Sequence, residues 1–173
     1  PRTIRFAETA AGDSSIAEAT VCASVLEALE GVTPTPKARQ IRAIALELER
    51  IANHTGDCGA LAGDVAFLPT ASYCGRIRGE YLNMTAEICG NRFGRGFVTY
   101  DGVAYDLPNH KLAGLRDWFE RTVADFKNAW AIMADNPGVL DRFEGTGKVT
   151  AEVMKEIGGV GVAARASGLD MDV

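Results

Sequence analysis

The chain has few of the residues on which single-subunit chemistry usually rests. Its 173 residues include two histidines and four cysteines, and a histidine-built zinc site needs three or four converging ligands. His54 and His110 alone do not supply one. Cys22, Cys58, Cys74 and Cys89 stand far apart with no CxxC unit, and no charged-then-apolar leader precedes them. The expectation is reduced, separately buried thiols that behave as small hydrophobes. No apolar run approaches the roughly 18 residues that a membrane-spanning helix requires. Six Pro and 19 scattered Gly exclude collagen-like and linker-dominated chains. Positive charge is also short, with 18 Lys+Arg against 23 Asp+Glu and a net charge of -5. That argues against a nucleic-acid binder whose affinity rests on neutralising phosphates and leaves room only for a local basic patch. What remains, 47% hydrophobic and 24% charged residues, is the composition of a globular domain. The chain, from Pro1 to Val173, is expected to be a single-domain fragment of a longer protein.

Hydrophobic spacing predicts a mainly α fold, a helical bundle with one small β-hairpin. A helix over about 13–30 starts at Asp13, Ser14 and Ser15, where a side-chain oxygen can take an orphan amide, with Glu18 in the first turn. Ile16, Ala19, Ala23, Leu26 and Leu29 or Glu30 trace its apolar face, and Gly31 closes it. A second helix over about 36–62 opens on Pro36, where the missing amide is harmless, and carries Ile41, Ile44, Leu48, Ile51 and Thr55. Through Gly56 to Gly63 it either continues with a bend or breaks before Pro69. A third, about 70–89, places Cys74, Ile77, Tyr81, Met84 or Thr85, and Ile88 on one face. Gly75 and Gly79 on a neighbouring stripe are expected to let another helix approach closely. Phe97–Tyr100 and Val103–Tyr105 flank Asp101-Gly102 as a hairpin over about 97–105. Leu112, Leu115, Phe119, Val123, Phe126, Trp130 and Met133 mark a long amphipathic helix over about 108–135. A short one follows at about 150–158.

Familiar catalytic and cofactor motifs are missing. Gly145-Thr146-Gly147-Lys148-Val149-Thr150 fails as a phosphate loop, because Val149 stands where a hydroxyl should follow the lysine and Arg142 replaces the upstream glycine. Gly158-Gly159-Val160-Gly161 lacks the spacing and the preceding strand of a dinucleotide fingerprint. No Gly-x-Ser-x-Gly unit occurs. Two constellations stand out instead. Glu49, Arg50, Asn53 and His54 are spaced to form a structural polar network. Arg92-Phe93-Gly94-Arg95-Gly96 holds two permanent charges on a glycine-rich turn, suited to an anionic partner or an electron carrier, or else to internal pairing.

Several ordered segments carry a resemblance to a known family. They are Gly12-Asp13-Ser14-Ser15-Ile16-Ala17-Glu18, Leu46-Glu47-Leu48-Glu49-Arg50-Ile51-Ala52-Asn53-His54, Phe67-Leu68-Pro69, and Gly75-Arg76-Ile77-Arg78. Further on come Gly90-Asn91-Arg92-Phe93-Gly94-Arg95-Gly96, Gly102-Val103, and Ala164-Arg165-Ala166-Ser167-Gly168-Leu169-Asp170. The whole resembles the large subunit of membrane-linked nickel-iron (NiFe) hydrogenases and its relative, the 49-kDa subunit of respiratory complex I (NADH:quinone oxidoreductase). Arg50 to His54 and Asn91 to Gly96 look closest to the formate hydrogenlyase type.

The resemblance implies a fold like the core of a NiFe-hydrogenase large subunit. It places the early pair of metal-ligand cysteines at Ala11 and Ser14, so no nickel is expected. Gly12 and Asp13 would line the former metal cavity or a quinone-type site. The quinone-bonding tyrosine of complex I relatives falls near Gly12, and their cluster-side histidine around Gly94 and Arg95. Arg92, Gly94 and Arg95 would face the iron-sulfur cluster of a small partner subunit. The implied function is that of an electron-transfer subunit in a membrane-associated NADH:quinone oxidoreductase-like or hydrogenase-like complex, with quinone as substrate. The alternative is a catalytically silent structural platform. The fragment itself would bind no cofactor, and NAD would belong to another, flavin-bearing subunit. Its expected place is the cytoplasmic, inner face of the cell membrane, held there by further subunits of the complex.

Overall fold

A computed structural model describes residues 2–171. Among them are eight helices and one two-stranded antiparallel hairpin, the mainly α fold that the spacing predicts. The chain divides into two compact units, one ending at Asp135 and the other beginning at Asn136.

The first unit opens with α1 (Arg2–Ala7), a short helix the periodicity does not announce. Next come α2 (Ser15–Glu30), α3 (Pro36–Asp64), α4 (Leu68–Cys89), the hairpin strands β1 (Val98–Thr99) and β2 (Gly102–Val103), and α5 (Asn109–Ala134). Thr35 caps α3 by accepting from Ala38 N at 3.2 Å, with Pro36 in its first turn, as the helix-start logic requires. Gly56 to Gly63 do not break this helix, which runs unbroken to Asp64. Its neighbour α4 doubles back antiparallel, since Gly59 meets Ala71 and Cys74 while Gly56 meets Arg78. In turn α5 runs antiparallel to α4, tied by Thr70 to Ala129, Arg76 to Asp125 and Lys111 to Glu87. The core collects Ile16, Ala23, Ile41, Leu48, Ile77, Tyr81, Met84, Ile88, Phe97 and Leu115 between these helices and the hairpin.

Three expectations need correction. The face of α2 is rotated: Leu29 is 78% exposed whereas Glu27 is 5% exposed, because a buried arginine on α3 supplies Glu27 with a partner. The hairpin turn shifts by one residue. Thr99 pairs with Gly102, so Tyr100 and Asp101 form the loop, with Asp101 at φ +64. Lastly, the close helix approach occurs at Gly59 of α3, where an added Cβ would stand 2.9 Å from Cys74 Cβ, while Gly75 and Gly79 have nothing within 4 Å. Substituting Ala at Gly75 or Gly79 is therefore expected to raise stability by about 0.5–1 kcal/mol through helix propensity alone. Gly59→Ala should lower it, and the two signs are read from unfolding midpoints.

The second unit holds α6 (Pro137–Phe143), α7 (Ala151–Glu156) and α8 (Gly161–Ala166). Of these the spacing predicts only the segment near α7. Asn136 caps α6 through Gly138 N at 3.0 Å, and Thr150 caps α7 through Val153 N at 3.4 Å.

Candidate functional site

Ser14 sits at the N-cap of α2, yet its side chain makes no capping bond. The cap comes from α3. Glu49, 6% exposed, accepts from Ile16 N at 2.7 Å and from Ala17 N at 2.9 Å. A carboxylate at a helix N-terminus meets both the orphan amides and the positive end of the macrodipole. Burial raises the Glu49 pKa above the usual 4.5, the two amides oppose that rise, and Asp13 and Glu18 add to it. One turn along α3, Asn53 Nδ2 donates to Asp13 O at 3.0 Å. The buried Ser15 hydroxyl donates to Glu8 O at 3.3 Å. These bonds fix the turn of residues 10–15, in which Gly12 and Asp13 are exposed.

The expected four-residue polar network does not form as a unit. Glu49 and Asn53 hold the 10–17 segment as described. Arg50 instead lies 3.4 Å from Glu47 on an exposed surface, and the His54 side chain is 71% exposed with Nδ1 3.7 Å from Asp57. The physical reason is helical geometry: residues 49 and 53 share the face toward α2, and 50 and 54 are turned about 100° away.

The arginine loop is fixed on the other side of the same turn. Asn91 Oδ1 accepts from Phe93 N at 2.9 Å and from Arg95 N at 3.3 Å, and Asn91 O takes Gly94 N at 3.0 Å. Gly96 N donates to the buried Glu8 carboxylate at 2.8 Å, while Arg5 bonds both Glu8 (2.6 Å) and Gly96 O (3.3 Å). Gly94 is buried with φ +65, and an added Cβ would lie 2.4 Å from Ile16 Cγ1. Of the three residues expected to face a partner, Gly94 therefore packs inward. Arg92 and Arg95 are exposed, and neither forms an ion pair among the described residues. The Arg92 guanidinium stacks over Phe93, 4.6 Å from the ring centroid, a cation–π contact that limits its motion.

Spacing alone misses Glu8, Glu27, Arg42 and Asn91 as anchors. One signal was present: Arg42 and Glu49, seven residues apart, fall on the face of α3 that also carries Ala38, Ala45 and Ala52. A charge on an apolar face calls for a buried partner.

Among the described residues no three His, Cys, Asp or Glu side chains gather as a cation site. All four cysteines are free, and burial lifts the thiols of Cys58, Cys74 and Cys89 above their usual value of 9.0. An apolar groove of about 480 Å³ lies elsewhere, between α3, α4 and α5, lined by Ile44, Leu48, Ile51, Leu112 and Phe119 among others.

Comparison with known proteins adds a lineage to this geometry. The sequence model of the family described as "Respiratory-chain NADH dehydrogenase, 49 Kd subunit" matches residues 64–173, a stretch that includes the arginine loop. Relatives include an NADH-quinone oxidoreductase subunit of Clostridium beijerinckii, 30% identical over 86% of this chain and 40% of the relative. The NADH-quinone oxidoreductase subunit 4 of Thermus thermophilus is 31% identical over 87% of this chain and 37% of its own length. An NADH-quinone oxidoreductase subunit of Akkermansia muciniphila is 29% identical over 100% of the chain and 41% of the relative. The chain thus spans about two fifths of the length of these relatives.

Proposed function

Because the chain belongs to the family of the 49-kDa subunit of respiratory-chain NADH dehydrogenase, we propose that it is an electron-transfer scaffold in a membrane-associated oxidoreductase complex. In this role it packs through Arg92 and Arg95 on an iron-sulfur small subunit. The turn at Gly12 and Asp13 helps to shape a quinone-type site. One observation carries the proposal: two exposed guanidiniums, without ion-pair partners among the described residues, stand on a loop anchored to the same core residue, Ile16, that follows that turn.

The chemistry follows from the side chains present. The partner's cluster would supply the one-electron step. Arginine stays protonated, so Arg92 and Arg95 would present fixed positive charge that stabilises a reduced, more negative cluster and raises its potential. Nickel does not fit the residues available. Ala11 offers no donor atom and Ser14 offers a hard hydroxyl where soft thiolates are needed, so no step is assigned to that metal. NADH, as donor, would be oxidised on a separate flavin-bearing subunit. No helix among the described residues is long and apolar enough to cross a membrane; in the proposed role the chain is held at the inner face of the cell membrane by other subunits of the complex.

The test is metal analysis and electron paramagnetic resonance on full-length large and small subunits purified together. Iron-sulfur signals without stoichiometric nickel are expected. Arg95→Ala should lower the midpoint potential of the partner's terminal cluster by on the order of tens of millivolts, the scale of one charge roughly 10 Å away in a partly screened medium. A quinone analogue should perturb the same signal. Intact assembly with neither response would leave the chain as a silent structural platform, and stoichiometric nickel would overturn the proposal.

A further inference from the structure

We propose that Glu49 is the positioning residue for both loops of the candidate site. Its single carboxylate sets the turn of residues 10–15 and, through Ile16, the arginine loop of residues 91–96. This concerns the chain's own architecture and stands whether or not a cluster-bearing partner is found.

The structural path is continuous. Glu49 holds Ile16 N and Ala17 N, and these are the amides that Ser14 leaves uncapped. Two bonds from one carboxylate fix the angle at which α2 begins, and so the place of the Ile16 side chain, 1% exposed. That side chain is the surface on which Gly94 rests, close enough that even a methyl group at 94 would collide with it. The loop carries its own internal bonds from Asn91, which preserve its shape but not its location. Location comes from Ile16 on one side and from Glu8 on the other. Glu8 is itself tied to the start of α2, because its carbonyl accepts from Ser15. These two supports of the arginine loop therefore pass through residues 15–16, beside the bonds that Arg5 makes to Gly96 O and Cys89 Sγ makes to Asn91 O.

Glu49 fills this place at a desolvation cost. The carboxylate is buried, and Asp13 and Glu18, the charged groups acting on it, share its sign. Opening of the clamp lets water reach Glu49 and returns it towards its ordinary 4.5. The folded value is the higher one, so protection by the clamp is fullest below 4.5 and declines as pH rises through the folded value. Gln at this position keeps one acceptor oxygen and has no charge to titrate.

Hydrogen–deuterium exchange on the full-length chain tests this, read on peptides spanning 13–19 and 91–98 and corrected for intrinsic exchange at each pH. In Glu49→Ala both peptides should lose protection by about ten- to a hundredfold, the scale of a buried donor left without its acceptor. Protection in the middle of α5 should change little. In Glu49→Gln the loss should be smaller and the pH dependence seen in the wild type should flatten in both peptides. Loss confined to 13–19 would show that Glu49 is only a local cap. Equal loss across α4 and α5 would show general destabilisation, and an unchanged pH profile in Glu49→Gln would show that this carboxylate is not the titrating group. Each of these three results overturns the proposal. If Glu49→Ala fails to fold, joint loss of protection in both peptides of Glu49→Gln, with the middle of α5 unchanged, decides instead. None of these measurements depends on a partner cluster, so the electron-transfer role can fail while this one holds.

Discussion

Replacing Arg42 with Met is expected to cost about 3–5 kcal/mol of unfolding free energy, the usual consequence of leaving one member of a buried ion pair behind. Both partners are 5% exposed. Arg42 Nη2 lies 2.6 Å from Glu27 Oε1 and Nη1 lies 3.1 Å from Oε2, a two-pronged contact that Lys cannot reproduce. The remaining donors reach the hairpin, with Nε on Gly102 O at 3.0 Å and Nη2 on Thr99 O at 2.7 Å. Glu27 completes the arrangement by accepting from Asp101 N at 2.9 Å. Removing the guanidinium thus strands a carboxylate and two strand carbonyls together. Removing both charges, as in Glu27→Leu with Arg42→Met, should recover a large part of the loss, although the carbonyls of Thr99 and Gly102 stay unpaired. Equal losses in the single and double variants would show that the stranded carboxylate is not the cause.

The same pair sets an acid limit. The bond from Arg42 is the largest cause holding the Glu27 carboxyl below its ordinary 4.5, with the Asp101 amide helping and burial opposing. A lowered folded value means that the stabilisation is complete above 4.5 and is lost as pH falls from there through the folded value. Urea unfolding at pH 7 and pH 4 should show this loss in the wild type and a smaller one in Glu27→Gln.

These anchors explain where sequence pattern stops being informative. Periodicity locates α3 and α4 well, because Cys74, Ile77, Tyr81, Met84 and Ile88 are all buried on one face. It also leads to Ile44 and Ile51, which prove only partly buried. Their place at the centre of the helix is taken by Arg42, Ala45, Glu49 and Ala52. A pattern that counts hydrophobicity puts charges outside, and only a partner on a distant segment reverses that. Glu27 is 15 residues from Arg42, and Ile16 is 33 residues from Glu49, separations no local period encodes. The hairpin turn is displaced for the same reason. Asp101-Gly102 is a good local turn signal, but Arg42 takes the carbonyls of Thr99 and Gly102, and Glu27 takes the Asp101 amide. The ladder then closes one residue earlier. Of the candidate site, the arginine loop was legible from its composition. The support beneath it, made by Glu8, Ile16 and Glu49, was not.

Gly94→Ala is the sharpest test of that support and is expected to cost about 2–4 kcal/mol. Two effects add. The backbone at φ +65 is a conformation that an L side chain occupies at a penalty of about 1–2 kcal/mol, and the new methyl would stand 2.4 Å from Ile16 Cγ1 and 2.5 Å from Cδ1. Gly90→Ala separates them, since Gly90 has φ +75 but nothing within 4 Å, so it should show the conformational part alone. A double-mutant cycle isolates the steric part. Ile16→Ala by itself opens a cavity and should cost about 2–5 kcal/mol, yet the pair Gly94→Ala with Ile16→Ala should cost clearly less than the sum, because each change relieves the other. Additive losses would mean that the loop has another way to move aside and does not depend on Ile16. The same geometry bears on the histidine that the family resemblance places around Gly94 and Arg95. An imidazole at 94 would meet Ile16 before it could reach any partner, so position 94 cannot take over that role while Ile16 is in place. Fixed positive charge at this surface therefore falls to Arg92 and Arg95, whose guanidiniums stand where no described side chain of the first unit neutralises them.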